Sequence, residues 1–131
     1  MAGALGDRTV VDTSVHPPDV ARLHYEFEGW LGDPVVESFP CFVATRLLAD
    51  AAERAHLSGV RWDDVDVSRS DQFRARYPDR PLPGFRWMRV RGKAGVDDFG
   101  LVADHRLVVS ERALDLLRAQ GTRHAAVEEY A

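Results

Sequence analysis

The chain has 131 residues, 45% hydrophobic and 9% aromatic, which suits one globular domain of common size and leaves no room for a second independent core. Twenty-one acidic residues against seventeen basic ones give a formal charge of −4, a balance that argues against a general nucleic-acid binder. One cysteine, Cys41, excludes an intrachain disulfide, and no run approaches the roughly 18 apolar residues of a membrane span.

The stretch from Met1 to Asp12 lacks an apolar signal core, so the chain is expected in the cytoplasm. Small and polar residues continue to His16-Pro17-Pro18-Asp19, where the proline pair blocks a helix and favours an extended connector. Residues 1–20 are therefore expected to form a flexible arm, and residues 21–131 a single α+β domain.

From Arg22 to Glu28 the pattern alternates. Leu23, Tyr25 and Phe27 fall on one side, and Arg22, His24, Glu26 and Glu28 on the other, which predicts a strand with one wet face. Gly29-Trp30-Leu31-Gly32-Asp33-Pro34 supplies a turn, and Val35-Val36 a short strand broken at Pro40. Phe42-Val43-Ala44 leads to Thr45, an N-cap for a helix carrying Leu47, Leu48, Ala51, Ala52 and Ala55 and stopping near Gly59. Val60, Trp62, Val65 and Val67 predict strand interrupted by Asp63-Asp64.

Ser70 to Tyr77 reads as a short helix with Phe73 and Tyr77 on one side. Pro78 to Gly84 is a proline-rich bend, and Phe85 to Arg91 a strand. Gly92 to His105 is the candidate functional loop. Arg106 to Val109 gives a strand, Ser110 a cap, and Ala113 to Leu117 the apolar side of a helix ending near Gly121, with a terminal strand around Ala125 to Tyr130. Two strand–cap–helix–strand units thus suggest a doubled architecture, although capping alone produces the same succession. The fold class is α+β: a mostly antiparallel sheet with two main helices on one face.

Two function classes compete. For a protein-binding module, the contact residues are His24, Glu26 and Glu28 on the wet strand face, Trp30 in its turn, and the acidic Asp97 and Asp98. For a small enzyme or accessory protein of a bacterial biosynthetic pathway, the pocket lies near the Gly92–His105 loop with Asp97, Asp98 and His105 as its polar groups. The period-two array of His24, Glu26 and Glu28 could ligate a metal, but a solvated strand face is the simpler account and no metal or cofactor is implied. Cys41 lacks a base nearby in sequence and reads as a buried structural thiol. A homodimer is compatible with either class.

Three stretches carry a family resemblance: Glu37-Ser38-Phe39-Pro40-Cys41-Phe42-Val43, Leu57-Ser58-Gly59-Val60, and Asp97-Asp98-Phe99 followed by Leu107 to Leu114. Over Tyr25 to Tyr130 the chain resembles small bacterial proteins related to the immunity proteins of polymorphic toxin systems. The resemblance implies a cytoplasmic antidote that binds and occludes a cognate toxin, with no catalytic residue to transfer. An acidic surface would suit a basic nuclease toxin.

Overall fold

The structure, a computed structural model, describes residues 3–121. Along the chain the elements are β1 (Gly3–Leu5), β2 (Val10–Asp12), β3 (Asp19–Arg22), β4 (His24–Phe27), β5 (Val35–Ser38), β6 (Cys41–Thr45) and α1 (Arg46–Arg54). There follow β7 (Val60–Asp63), β8 (Asp66–Arg69), α2 (Asp71–Arg76), β9 (Phe85–Val90), β10 (Phe99–Leu101), β11 (Leu107–Val109) and α3 (Glu111–Ala119). No described helix is long and apolar enough to cross a membrane.

The centre is a four-stranded antiparallel sheet in the order β5-β6-β9-β7. Strand β6 is buried along its whole length, and its alternating side chains feed two cores. Phe42 and Ala44 join Met88 of β9 against Leu48 and Ala52 of α1 and Ala113 and Leu117 of α3. Cys41 and Val43 join Phe85 and Trp87 on the opposite face, against Tyr25 and Phe27 of β4 and Phe73 of α2. The second face is covered by a smaller sheet, β1-β4-β8, in which β4 runs antiparallel to β1 and parallel to β8. The α+β class therefore stands, with α1 and α3 sharing one face as expected.

All three helices start the same way. Thr45 accepts from the Leu48 N–H, Ser70 from Phe73 and Ser110 from Ala113; Thr45 ends strand β6, and the two serines directly follow β8 and β11. The same strand–cap–helix succession thus occurs three times and in different sheets. The terminal strand expected around Ala125 to Tyr130 lies outside the described residues.

Three other expectations need correction. The expected arm at 1–20 is not loose where it is described: β1 pairs with β4, β2 pairs with β3, and Val20 is buried in the core. Helix α1 stops at Arg54, well before Gly59, and His56 takes the left-handed conformation (φ 54°). Gly59 instead sits at φ 85° against Gly92, where a side chain on either glycine would meet the Phe99 carbonyl. The interrupted strand at 60–67 is two strands in two sheets. The break is fixed by Asp63, whose carboxylate accepts from the Asp64 N–H at 2.9 Å.

Candidate functional site

Strand β9 outruns its neighbour. Phe42 of β6 faces Met88 and the β5–β6 turn follows immediately, so the last residues of β9 border a notch rather than a full strand. The notch has a volume of about 210 Å³. The nearly buried Cys41, Phe42, Trp87 and Met88 border it, together with Pro17 to Val20. Arg89, Arg91 and His105 stand around it, with Asp19 as the acidic lining residue. A shallower depression continues from it through the shared Arg91 and Leu101 to Lys93 and Ala94.

Each polar group is held by something identifiable. The Arg89 guanidinium lies 4.3 Å from the centroid of the Trp87 ring and donates to Asp63 Oδ2 at 3.1 Å. The Asp64 backbone N–H, with help from Arg89, holds the Asp63 carboxyl below its usual range. His105, at φ 67°, places Nε2 2.9 Å from the Pro40 carbonyl, which can only accept, so Nε2 carries a hydrogen. Its ring stacks on Phe42 at 5.7 Å and meets Phe39 edge-on at 4.9 Å. Burial pushes the Cys41 thiol up to about 12 although Arg89 pulls the other way, so the thiolate is scarce at neutral pH.

Of the residues singled out from sequence, His105 lines the notch and the others lie elsewhere. His24 was expected on a wet face, yet it is 2% exposed, because the turn at 6–9 folds over it. The Arg8 N–H donates to its Nδ1 at 3.2 Å, and the ring's other nitrogen lies 2.7 Å from Ser68 Oγ. Thr9 brackets the His24 backbone, accepting from its N–H and donating to its carbonyl, both at 3.0 Å. His24 is therefore not a surface contact. Glu26 is half-buried beside it in β4, and Glu28 is exposed just after the strand.

Trp30 is half-buried rather than presented. Its indole N–H donates to the Asp33 carbonyl at 2.9 Å and its ring meets Phe85 edge-on at 5.9 Å. Asp97 is half-buried and accepts from the Lys93 N–H at 2.7 Å. Asp98 is 8% exposed, with both carboxylate oxygens engaged by Arg112, Ser58 and Ser110 at the junction of α1 and α3. Asp98 and His105 thus sit in different surroundings, and Asp98 has no oxygen to spare for a substrate or partner. Among the described residues, no three His, Cys, Asp or Glu side chains are grouped to hold a metal.

Sequence reading missed the N-terminal ribbon and the cationic end of β9. The clue for the second was the alternation Arg89, Arg91, Lys93, which places three cations on one side of an extended segment. For the ribbon the clue was Val10-Val11, whose two neighbouring valines are atypical of a disordered arm. No protein-family model, curated protein or solved structure matches this chain.

Proposed function

We propose that the chain is a non-enzymatic protein-binding module, most specifically a bacterial immunity protein that occludes a cognate toxin in the cytoplasm. Its contact surface is the β2–β3 ribbon together with the β5–β6 turn. The observation that carries this reading is the exposure of large apolar side chains there: Val10 is 55% exposed, and Val15 and Phe39 48% each. His16 links the two parts, its ring centroid lying 6.3 Å from that of Phe39.

The physical reasoning is one of contrast. Strands β4 and β6 bury their large apolar side chains, whereas β2 exposes all three of its residues. Among the described residues the ribbon pairs with no third strand, so its outer edges keep free backbone groups suited to strand addition by a partner. Of the groups an enzyme could use, Asp98 joins two helices through Arg112 and burial keeps the Cys41 thiol protonated. Glu28 and Asp97 would contribute at most a polar rim, because the apolar ribbon supplies the desolvated centre.

The test is a tagged pull-down from the native bacterium, followed by co-expression of the partner with the wild type or with Val10→Glu/Phe39→Glu. A stoichiometric partner with a toxin domain is expected. The wild type should rescue growth, and the variant should lose both capture and rescue while keeping its thermal unfolding. A protein that comes down alone, or a variant that still protects, overturns the reading.

A further inference from the structure

We propose that His24 and the turn at 6–9 form a proton-operated switch, in which the protonated imidazole exchanges the Arg8 N–H for the Asp7 carboxylate and so re-sets the turn that leads into β2. Hydrogen-bond chemistry fixes the first state. The Arg8 N–H can only donate, so Nδ1 of His24, 3.2 Å away, accepts. The hydrogen of the neutral ring therefore sits on Nε2, 2.7 Å from Ser68 Oγ. Nδ1 has one lone pair in the ring plane. A proton placed there sets two donors against each other, and the Arg8 N–H has to leave. The Nε2 side needs no change, because the cation still donates to Ser68.

The second state is already within reach. Asp7 Oδ1 stands 3.5 Å from Nδ1, and among the described residues Asp7 makes no other ion pair. His24 is 2% exposed, and a cation in so closed a place needs a counter-charge. The other charged groups around it are committed or lie further along the strand. Asp66, opposite His24 in the β4–β8 pair, accepts from Arg22 through Nε at 3.2 Å and Nη2 at 2.9 Å, with the Arg8 guanidinium 3.9 Å off. Glu26 lies two residues on in β4, opposite Ser68. Asp7 is thus the carboxylate placed to take the new hydrogen. The exchange is also local. Gly6 donates to the His24 carbonyl, and Thr9 is tied to both backbone groups of His24, so Asp7 and Arg8 move between two fixed points. The turn lies flush on the imidazole, since any side chain on Gly6 would run into the ring.

The test is a nuclear magnetic resonance titration of the full, isotopically labelled chain from about pH 8 to about pH 5, the range in which imidazoles change charge. It follows the ring nitrogens of His24, the Asp7 carboxyl carbon and the Arg8 amide. At neutral pH we expect a hydrogen on Nε2 and none on Nδ1. On acidification the Arg8 amide should lose its hydrogen bond and the Asp7 carboxyl carbon should shift, both with the midpoint of the ring, while the Gly6 amide keeps its protection from exchange. Asp7→Asn should lower that midpoint by about half a pH unit, roughly a threefold loss of proton affinity. His24→Asn, which keeps an acceptor but does not titrate, should hold the Arg8 amide constant. His16→Gln, which removes the histidine between β2 and β3, should titrate as the wild type does. A hydrogen on Nδ1 at neutral pH, an Arg8 amide that does not follow the ring, or an Arg8 transition that persists in His24→Asn overturns the inference. An unmoved midpoint in Asp7→Asn, or loss of Gly6 protection along with the ring titration, overturns it as well. The wild type and Asp7→Asn decide the outcome even where His24→Asn does not fold. None of these signals involves a partner, so a failure here leaves the binding-module reading standing.

Discussion

The Asp98 carboxylate accepts from Arg112 through Nε at 3.0 Å and Nη2 at 2.9 Å, from the Ser58 N–H at 2.8 Å and from the Ser110 hydroxyl at 2.6 Å. Arg112 also donates to the Ala55 and His56 carbonyls, so one ion pair joins the end of α1, the start of β10 and the start of α3. The Arg112 guanidinium, chiefly, and the two serines hold the Asp98 carboxyl well below its usual range, against the opposing effect of burial. A depressed folded-state pKa means that the unfolded chain binds the proton more readily. Stability from this group is therefore complete above the unfolded value near 4 and is lost as pH falls from about 5 downward. We expect Asp98→Ala to cost about 2 kcal/mol by urea unfolding at pH 7, because the hydrogen bonds that a charged acceptor makes to Arg112, Ser58 and Ser110 go with it. The difference from wild type should shrink at pH 3; an unchanged difference would remove Asp98 from the linkage. Nothing in the local sequence separates Asp98 from Asp97. Their partners lie at Ser58, Ser110 and Arg112 in one case and at Lys93 in the other, and long-range pairing of that kind has no periodicity to read.

Among the elements, strand and helix were legible where one face is buried and the cap is a hydroxyl. Leu23, Tyr25 and Phe27 are all buried as their alternation requires, and Thr45, Ser70 and Ser110 all cap. Less legible was what covers the other face: His24 alternates with Tyr25 as a wet-face residue should, but the turn at 6–9 closes over it. The three caps also differ in what else they do. Ser70 Oγ accepts from Phe73 at 3.0 Å, whereas Ser110 Oγ accepts from Ala113 at 3.2 Å and also donates to Asp98 at 2.6 Å. Ser70→Ala should cost about 1 kcal/mol, the ordinary loss of a cap. Ser110→Ala should cost about 2 kcal/mol, since a hydrogen bond to a charged group goes with it. Equal losses in chemical denaturation would show that the Ser110–Asp98 bond adds nothing to the cap.

In the whole molecule, the central sheet is covered by two helices on one face and by β1-β4-β8 with α2 on the other, so the second cover depends on a strand from the chain's beginning. Residues 1–20 look like an arm because Pro17-Pro18 and a run of small residues carry no helix or long-strand pattern. Short strands with only three residues give alternation too little length to be recognised. Yet Leu5 packs against the core containing Tyr25 and Phe27, and Val20 is 6% exposed within it. The Gly6 N–H donates to the His24 carbonyl at 2.7 Å, and Thr9 completes the cover over the imidazole. Removal of residues 1–20 would therefore expose His24, leave the outer edge of β4 unpaired and open one wall of the notch. An arm that merely trails from the domain would leave thermal unfolding unaltered when it is cut away. We expect instead that a chain starting at Ala21 loses at least 3 kcal/mol, the combined effect of a lost strand and two partly or fully buried apolar side chains. Its unfolding should also lose cooperativity, because β4 links the second cover to the central sheet through Tyr25 and Phe27. If the truncated chain melts at the wild-type temperature but no longer captures the partner, the ribbon serves binding alone; a fall in both makes the same segment a structural wall and a contact surface.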